Sequence, residues 1–150
     1  MALTIGCIGM ATSRLQLKDH VIVCGFGVVG QKIIDVLVER SIKFVVVDTD
    51  TIAISKAKEL GYNAIEGDGT LSKTLKEVAV EDAKAIAFAM DNDAKNLFGV
   101  LTARDMNRHI FIATRANDDF VREKLVEAGA DYIAMPQKTA SKEIVRELLK

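Results

Sequence analysis

The apolar run Val21-Ile22-Val23-Cys24 passes directly into Gly25-Phe26-Gly27-Val28-Val29-Gly30. A helix-like stretch to Arg40 follows, and then a second apolar run, Phe44-Val45-Val46-Val47, ends in Asp48. Strand, G-x-G-x-x-G turn, helix, strand and acid is the order of a dinucleotide-binding βαβ unit. In that reading Gly25 permits the tight turn and Gly27 lets the backbone approach a pyrophosphate. Gly30 lets the helix pack close to the strand. The free N–H groups of the helix, with its positive dipole end, then face phosphate. Asp48 stands 18 residues after Gly30, close to the spacing of an acid that grips ribose hydroxyls.

The rest of the chain repeats the alternation. Strands are expected at 20–24, 44–48, 63–66, 85–90, 110–114 and 132–135. Helices are expected at 28–40, 50–60, 71–78, 93–107, to Ala128 from a cap at Asn117 or Asp118, and 139–149. Asp50 and Thr70 are candidate helix caps, and Gly61 and Gly129 are stops. Pro136 reads as a break before the last helix. Strict β-α alternation with apolar strands predicts an α/β fold: a doubly wound, parallel, six-stranded Rossmann-like sheet of order 3-2-1-4-5-6 between two helical layers. The ligand crevice then lies at the carboxyl ends of strands one and four.

Candidate contacts follow from that placement. Gly25, Phe26, Gly27, Val28, Val29 and Gly30 form the phosphate loop. Asp48, with Thr49 beside it, accepts from the ribose and repels a 2′-phosphate, which favours NAD or an adenosine phosphate over NADP. The strand-tip position of Asp48 predicts that its removal weakens binding without unfolding the domain. Asp68 and Gly69 follow strand three, where Asp68 either accepts from an adenine amino group or serves turn geometry. Met90 leaves strand four and either meets the ligand or packs in the core. Asp91 and Asn92 cap the next helix. Arg115, past strand five, pairs with phosphate or with an acid such as Asp118.

Composition narrows the classes. Lys plus Arg number 20 against 21 Asp plus Glu, with no basic cluster, so nucleic acid is not an expected partner. Cys7 and Cys24 are isolated, which gives no disulfide framework or zinc site and suits a reducing cytoplasm. Cys24 reads as a small buried hydrophobe. His20 and His109 read as strand-edge residues. Met1–Met10 is too short for a membrane span and lacks a basic start. Residues 1–17 read as a leader and linker, 18–136 as the nucleotide-binding domain, and 137–150 as a separate terminal helix.

Lys18 to Gly27, Val46 to Asp50, Gly67-Asp68-Gly69-Thr70, Asn96-Leu97 and Gly129-Ala130-Asp131 together resemble the RCK/KTN (TrkA-N) family. This family comprises nucleotide-binding regulators of potassium channels and transporters. The resemblance covers residues 18–150. It implies a cytoplasmic sensor at the inner face of the membrane, homodimeric or in a larger ring, that binds NAD(H) or else ADP, ATP or AMP and controls a membrane-embedded potassium channel or transporter subunit. It further implies phosphate at Gly25–Gly30, ribose at Asp48, adenosine at Asp68 and Gly69, and the remainder against Met90 and Arg115. The terminal helix would cross to a partner subunit through Ala140, Ile144, Val145, Leu148 and Leu149. Relatives often carry Arg at the position of Val28, so its replacement favours NAD(H) or a diphosphate over a triphosphate. The chain ends after the presumed crossing helix, as an excised regulatory lobe would.

The competing reading is the cofactor-binding fragment of an NAD-dependent oxidoreductase. Hydride transfer needs a seat for substrate and a placed acid or base. No Tyr-x-x-x-Lys pair is present, since Tyr62 is followed by Glu66 and Tyr132 by Pro136. His109 is expected at the amino end of strand five, away from the crevice. An interaction module that has lost its ligand is disfavoured by the intact Gly25, Gly27, Gly30 and Asp48. The expectation is a sensor, not an enzyme.

Overall fold

The computed structural model describes residues 17–150. The leader reading of residues 1–16, with Cys7, lies outside the described residues. The elements in order are β1 (Val21–Cys24), α1 (Val28–Glu39), β2 (Phe44–Asp48), α2 (Thr51–Glu59), β3 (Ala64–Glu66), α3 (Ser72–Glu77), a 3₁₀ turn (Val80–Asp82), β4 (Ala85–Phe88), α4 (Asp93–Met106), β5 (Phe111–Arg115), α5 (Asp119–Ala128), β6 (Tyr132–Ala134) and α6 (Pro136–Leu148). The strands form one parallel sheet in the order β3-β2-β1-β4-β5-β6. This is the doubly wound Rossmann-like sheet expected from the alternation.

The two faces of the sheet bury different sets of side chains, as the period of a strand requires. Val23 and Val46 pack with Ile34 of α1 and with Ile54 and Ala57 of α2. Ile22, Cys24, Val45, Val47, Ile86 and Phe88 pack on the other side with Leu75 of α3, Val100 and Ala103 of α4 and Leu125 of α5. Both faces are covered, so the strands read as continuous apolar runs. Leu17 is buried and already belongs to the second cluster.

Most element boundaries shift by a residue or two from the sequence-based expectation, and three differences have a clear physical cause. Thr70 does not cap α3. Its N–H and hydroxyl both donate to Asp68 Oδ1, at 2.9 and 2.7 Å, and Leu71 takes the cap position. α6 begins at Pro136 rather than Thr139. Proline has the φ of a first helical residue and lacks only an N–H that would go unpaired there, so it opens this helix instead of delaying it. β4 stops at Phe88, because the Asn96 side chain draws off the Met90 peptide on both sides.

His20 stands at the edge of β1, as expected. It is fully buried just before β1, with Nε2 2.7 Å from the Val78 carbonyl. His109 is exposed and precedes β5.

Candidate functional site

Register alone assembles the site. Ile65, Val47, Cys24, Phe88, Thr114 and Ile133 form one continuous row of partners across the whole sheet. The residues just past that row therefore lie side by side: Glu66, Asp48, Gly25, Ala89, Arg115 and Ala134. Here the parallel strands hand over to the loops, which is where doubly wound sheets take ligands. A cleft of about 830 Å³ opens along this edge, near the upper end of the range for small-molecule sites.

The glycine loop forms the wall over β1. Gly25 has φ +112°, and a Cβ there would stand 3.0 Å from the Ala89 carbonyl group. A side chain at Gly30 would collide with the Gly25 carbonyl, which gives that glycine a close-packing role. A Cβ at Gly27 meets nothing within 4 Å. Gly27 is thus spared a side chain by the open cleft and not by neighbouring protein. No side chain caps the amino end of α1, whose N-cap residue is Gly27 itself. Its leading N–H groups have no intrahelical partner.

Asp48 is held in two directions. Its Oδ2 accepts from Phe26 N–H at 2.8 Å, and its Oδ1 accepts from Asp50 N–H at 2.9 Å. A carboxylate offers about four lone-pair sites, so acceptor capacity remains for two hydroxyls. Asp48 also ties the glycine loop to the tip of β2. Truncation of Asp48 strands the Phe26 N–H, so a stability cost accompanies any effect on binding. Asp50 is the cap of α2, accepting from Ile52 N–H.

The loop after β3 presents Asp68. The Thr70 N–H and then the Thr70 hydroxyl hold its carboxyl below the usual carboxylate range, with Lys95 adding a smaller charge effect. Cys24 lies beneath Gly69 and is fully buried, and burial pushes its thiol up, far from reactivity. Met90 borders the cleft and also packs on the core.

Asn96 is wholly buried. Its amide accepts from Met90 N–H and donates to the Met90 and Arg115 carbonyls, locking the exits of β4 and β5 together. Arg115 does not pair with Asp118. Its Nη2 donates to Asn117 Oδ1 at 2.8 Å and lies 3.5 Å from Asp91, while Asp118 caps α5. Asn92 caps α4. Asp91 sits in the cleft wall.

Of the candidate residues, Gly25, Gly27, Val28, Val29, Asp48, Thr49, Asp68, Gly69, Met90 and Arg115 line the one cleft. Phe26 and Gly30 do not. The Phe26 side chain is buried on the α1 face and contributes its backbone to the loop. Lys95, Pro136 and Gln137 also line the cleft and were missed by sequence reasoning. Lys95 had a signal: a cation in the first turn of a helix opposes the macrodipole and calls for an anionic neighbour. Pro136 and Gln137 had none, since the helix was expected to start later.

The sequence model of the TrkA-N domain family matches residues 21–136. The chain is 34% identical over 133 residues to potassium channel protein 1 of Methanocaldococcus jannaschii, covering 87% of this chain and 40% of that protein. It is 33% identical over 139 residues to the voltage-gated potassium channel Kch of Escherichia coli, covering 89% and 33% respectively. The chain thus spans well under half the length of these relatives. The TrkA-N domain of the E. coli inner membrane protein ybaL superposes with TM-score 0.85 at 25% identity, over 90% of this chain and 99% of that one. The GsuK channel bound to NAD has the same fold, with TM-score 0.72 at 21% identity over 89% of this chain and 26% of its own. The AMP-bound Kef C-terminal domain of Shewanella denitrificans has it with TM-score 0.77 at 21% identity over 87% and 78%. With a family match over most of its length, the chain belongs to the TrkA-N domain family.

Proposed function

We propose that this domain is a ligand sensor and not a catalyst. It binds NAD(H), or else ADP, ATP or AMP, and passes its occupancy to an associated potassium channel or transporter. The observation that carries this reading is the alignment along the sheet edge. Gly27 opens onto empty cleft, Asp48 keeps spare acceptor capacity, and Asp68 stands next to it in one continuous groove. In this reading the phosphates lie on the N–H groups of Gly25–Gly30, the ribose on Asp48 and Thr49, and the adenosine against Asp68 and Gly69. Met90 and Arg115 line the remainder. The ligands of the GsuK channel and the Kef domain support the choice of adenine nucleotides.

The output is mechanical. α6 carries Ile144, Val145, Leu148 and Leu149 exposed at 60, 49, 73 and 79%, and it buries none of its residues. A second copy of the chain covers this stripe, and the dimer or ring carries the signal to a pore on the inner face of the membrane. No helix among the described residues is itself long and apolar enough to cross a membrane.

Isothermal titration with NAD, ADP and AMP tests the reading. Binding of at least one, with loss on Gly27→Val, is the expected result. No heat with any of the three overturns it. Mass spectrometry of ligand released from the purified protein identifies the resident species.

A further inference from the structure

The cleft has two unlike halves. Over β3, β2 and β1 lie Asp68, Asp48 and the glycine loop, which suit an adenosine phosphate. Over β4, β5 and β6 lie Met90, Asp91, Asn92, Arg115, Pro136 and Gln137. Arg115 is nearly enclosed, with its side chain 12% exposed, and its Nε is buried without a hydrogen-bond partner among the described residues. A buried guanidinium N–H left unpaired costs free energy, so the site is incomplete as it stands.

The root of α6 closes the same end. Pro136 and Gln137 are its first residues, and no side chain caps its amino terminus. From β1, where the phosphates would rest, to β6 is three strand spacings, roughly 14 Å. A mononucleotide seated by its ribose on Asp48 ends at the glycine loop. Only a ligand that continues beyond its phosphates reaches Arg115 and Gln137. This half offers a guanidinium, a carboxamide and helix N–H groups as donors, with the Asp91 carboxylate in its wall as an acceptor. It therefore suits a second sugar or a carboxamide, groups that both donate and accept.

We propose that Gln137, with Arg115, binds the second half of a dinucleotide, so that dinucleotides engage α6 and mononucleotides do not. The proposal rests on the nucleotide-sensing reading and gives that site its regulation. α6 is otherwise tied to the domain by an exposed ion pair, Lys138 to Asp119, worth little in water. A ligand gripping its first turn orients a helix whose apolar stripe is uncovered. Dinucleotide and mononucleotide then leave the domain with differently ordered terminal helices.

The test uses the 150-residue chain with NAD and with AMP. In titration calorimetry, Gln137→Ala lowers NAD affinity about tenfold and leaves AMP affinity within about twofold, because Gln137 is exposed and outside the core. In hydrogen exchange, saturating NAD slows the amides of residues 138–142 as well as the glycine loop. Saturating AMP slows the glycine loop alone. Equal loss of both affinities, loss of neither, or equal protection of α6 by both ligands overturns the proposal while leaving the sensor reading intact. Failure of NAD to bind the unaltered chain overturns the proposal, and failure of NAD, ADP and AMP alike overturns the sensor reading with it.

Discussion

Ile22, Val23, Val45, Val46 and Ile112 have no exposed surface in the sheet, whereas α6 contains no buried residue over its whole length. The strands are almost continuously apolar, whereas α6 confines Ile144, Val145 and Leu148 to one stripe among polar residues. Position then decides what becomes of those side chains. The strands meet helices on both faces within the chain, while α6 leaves the last strand at the sheet's edge and finds no layer among the described residues to cover it. Burying each strand side chain contributes about 1.5–3 kcal/mol, and the sheet collects this many times over. α6 leaves the same apolar surface uncollected. The sheet therefore builds a rigid platform, and the helix is the part available for a second molecule to stabilise.

Substitutions at the platform should have the largest effects. Gly30→Val drives a side chain into the Gly25 carbonyl and should cost more than about 4 kcal/mol or prevent folding, read by thermal or urea unfolding. A stable, cooperative variant would mean that helix and strand are not locked together. Ile112→Ala should cost about 2–5 kcal/mol, because a fully buried central side chain leaves a cavity. Asp48→Ala stands between structure and function. It should cost about 1–3 kcal/mol for the stranded Phe26 N–H and also abolish measurable nucleotide binding. Unchanged affinity would remove Asp48 from the site.

The double change Ile144→Asp with Leu148→Asp should alter the domain's own stability by no more than about 0.5 kcal/mol, since both residues are exposed. The oligomer mass in light scattering should nonetheless fall. An unchanged mass would show that α6 is bare in solution too, and a large loss of stability would show that it packs on its own sheet.

The smallest expected effect belongs to His20. Burial lowers the affinity of its ring for a second proton, and Lys43 adds to that, while its Val78 partner, Asp82 and Asp19 oppose it. The Val78 carbonyl can only accept, so Nε2 carries the proton and Nδ1 is left bare. The unfolded chain then binds the extra proton more readily than the folded one. Stability should be complete above about pH 6.5 and decline as pH falls through the lower folded value. His20→Gln should flatten that acid slope in thermal melts between pH 7 and 5. An identical slope would assign the acid sensitivity to other groups.

How far the sequence carried the reading varies with the range of the interactions involved. The six strands and their order followed from apolar runs, glycine turns and right-handed crossovers, all local or topological rules. The Asp50 cap, the Gly129 stop and the burial of Cys24 were equally readable. Thr70 was misread because its competitor for the cap was a neighbouring side chain, Asp68, which turned the hydroxyl inward. For Arg115 the sequence left phosphate or a nearby acid open and offered Asp118 as the example, but Asp118 is committed to its own helix and Asp91 is the acid that approaches. Lys95 and Gln137 escaped notice because each enters the cleft from the start of a helix whose direction depends on long-range packing.

By itself the sequence determined that a parallel sheet would form and that Gly25, Gly27, Gly30 and Asp48 would meet at its edge. Those outcomes depend on backbone freedom, residue period and chain handedness, which are written locally. Only the tertiary structure decided what lies at the other end of that edge: an enclosed Arg115 with an unpaired Nε, and the root of a bare helix. Register set across all six strands brings those residues to one cleft, and no shorter stretch of the chain contains that information.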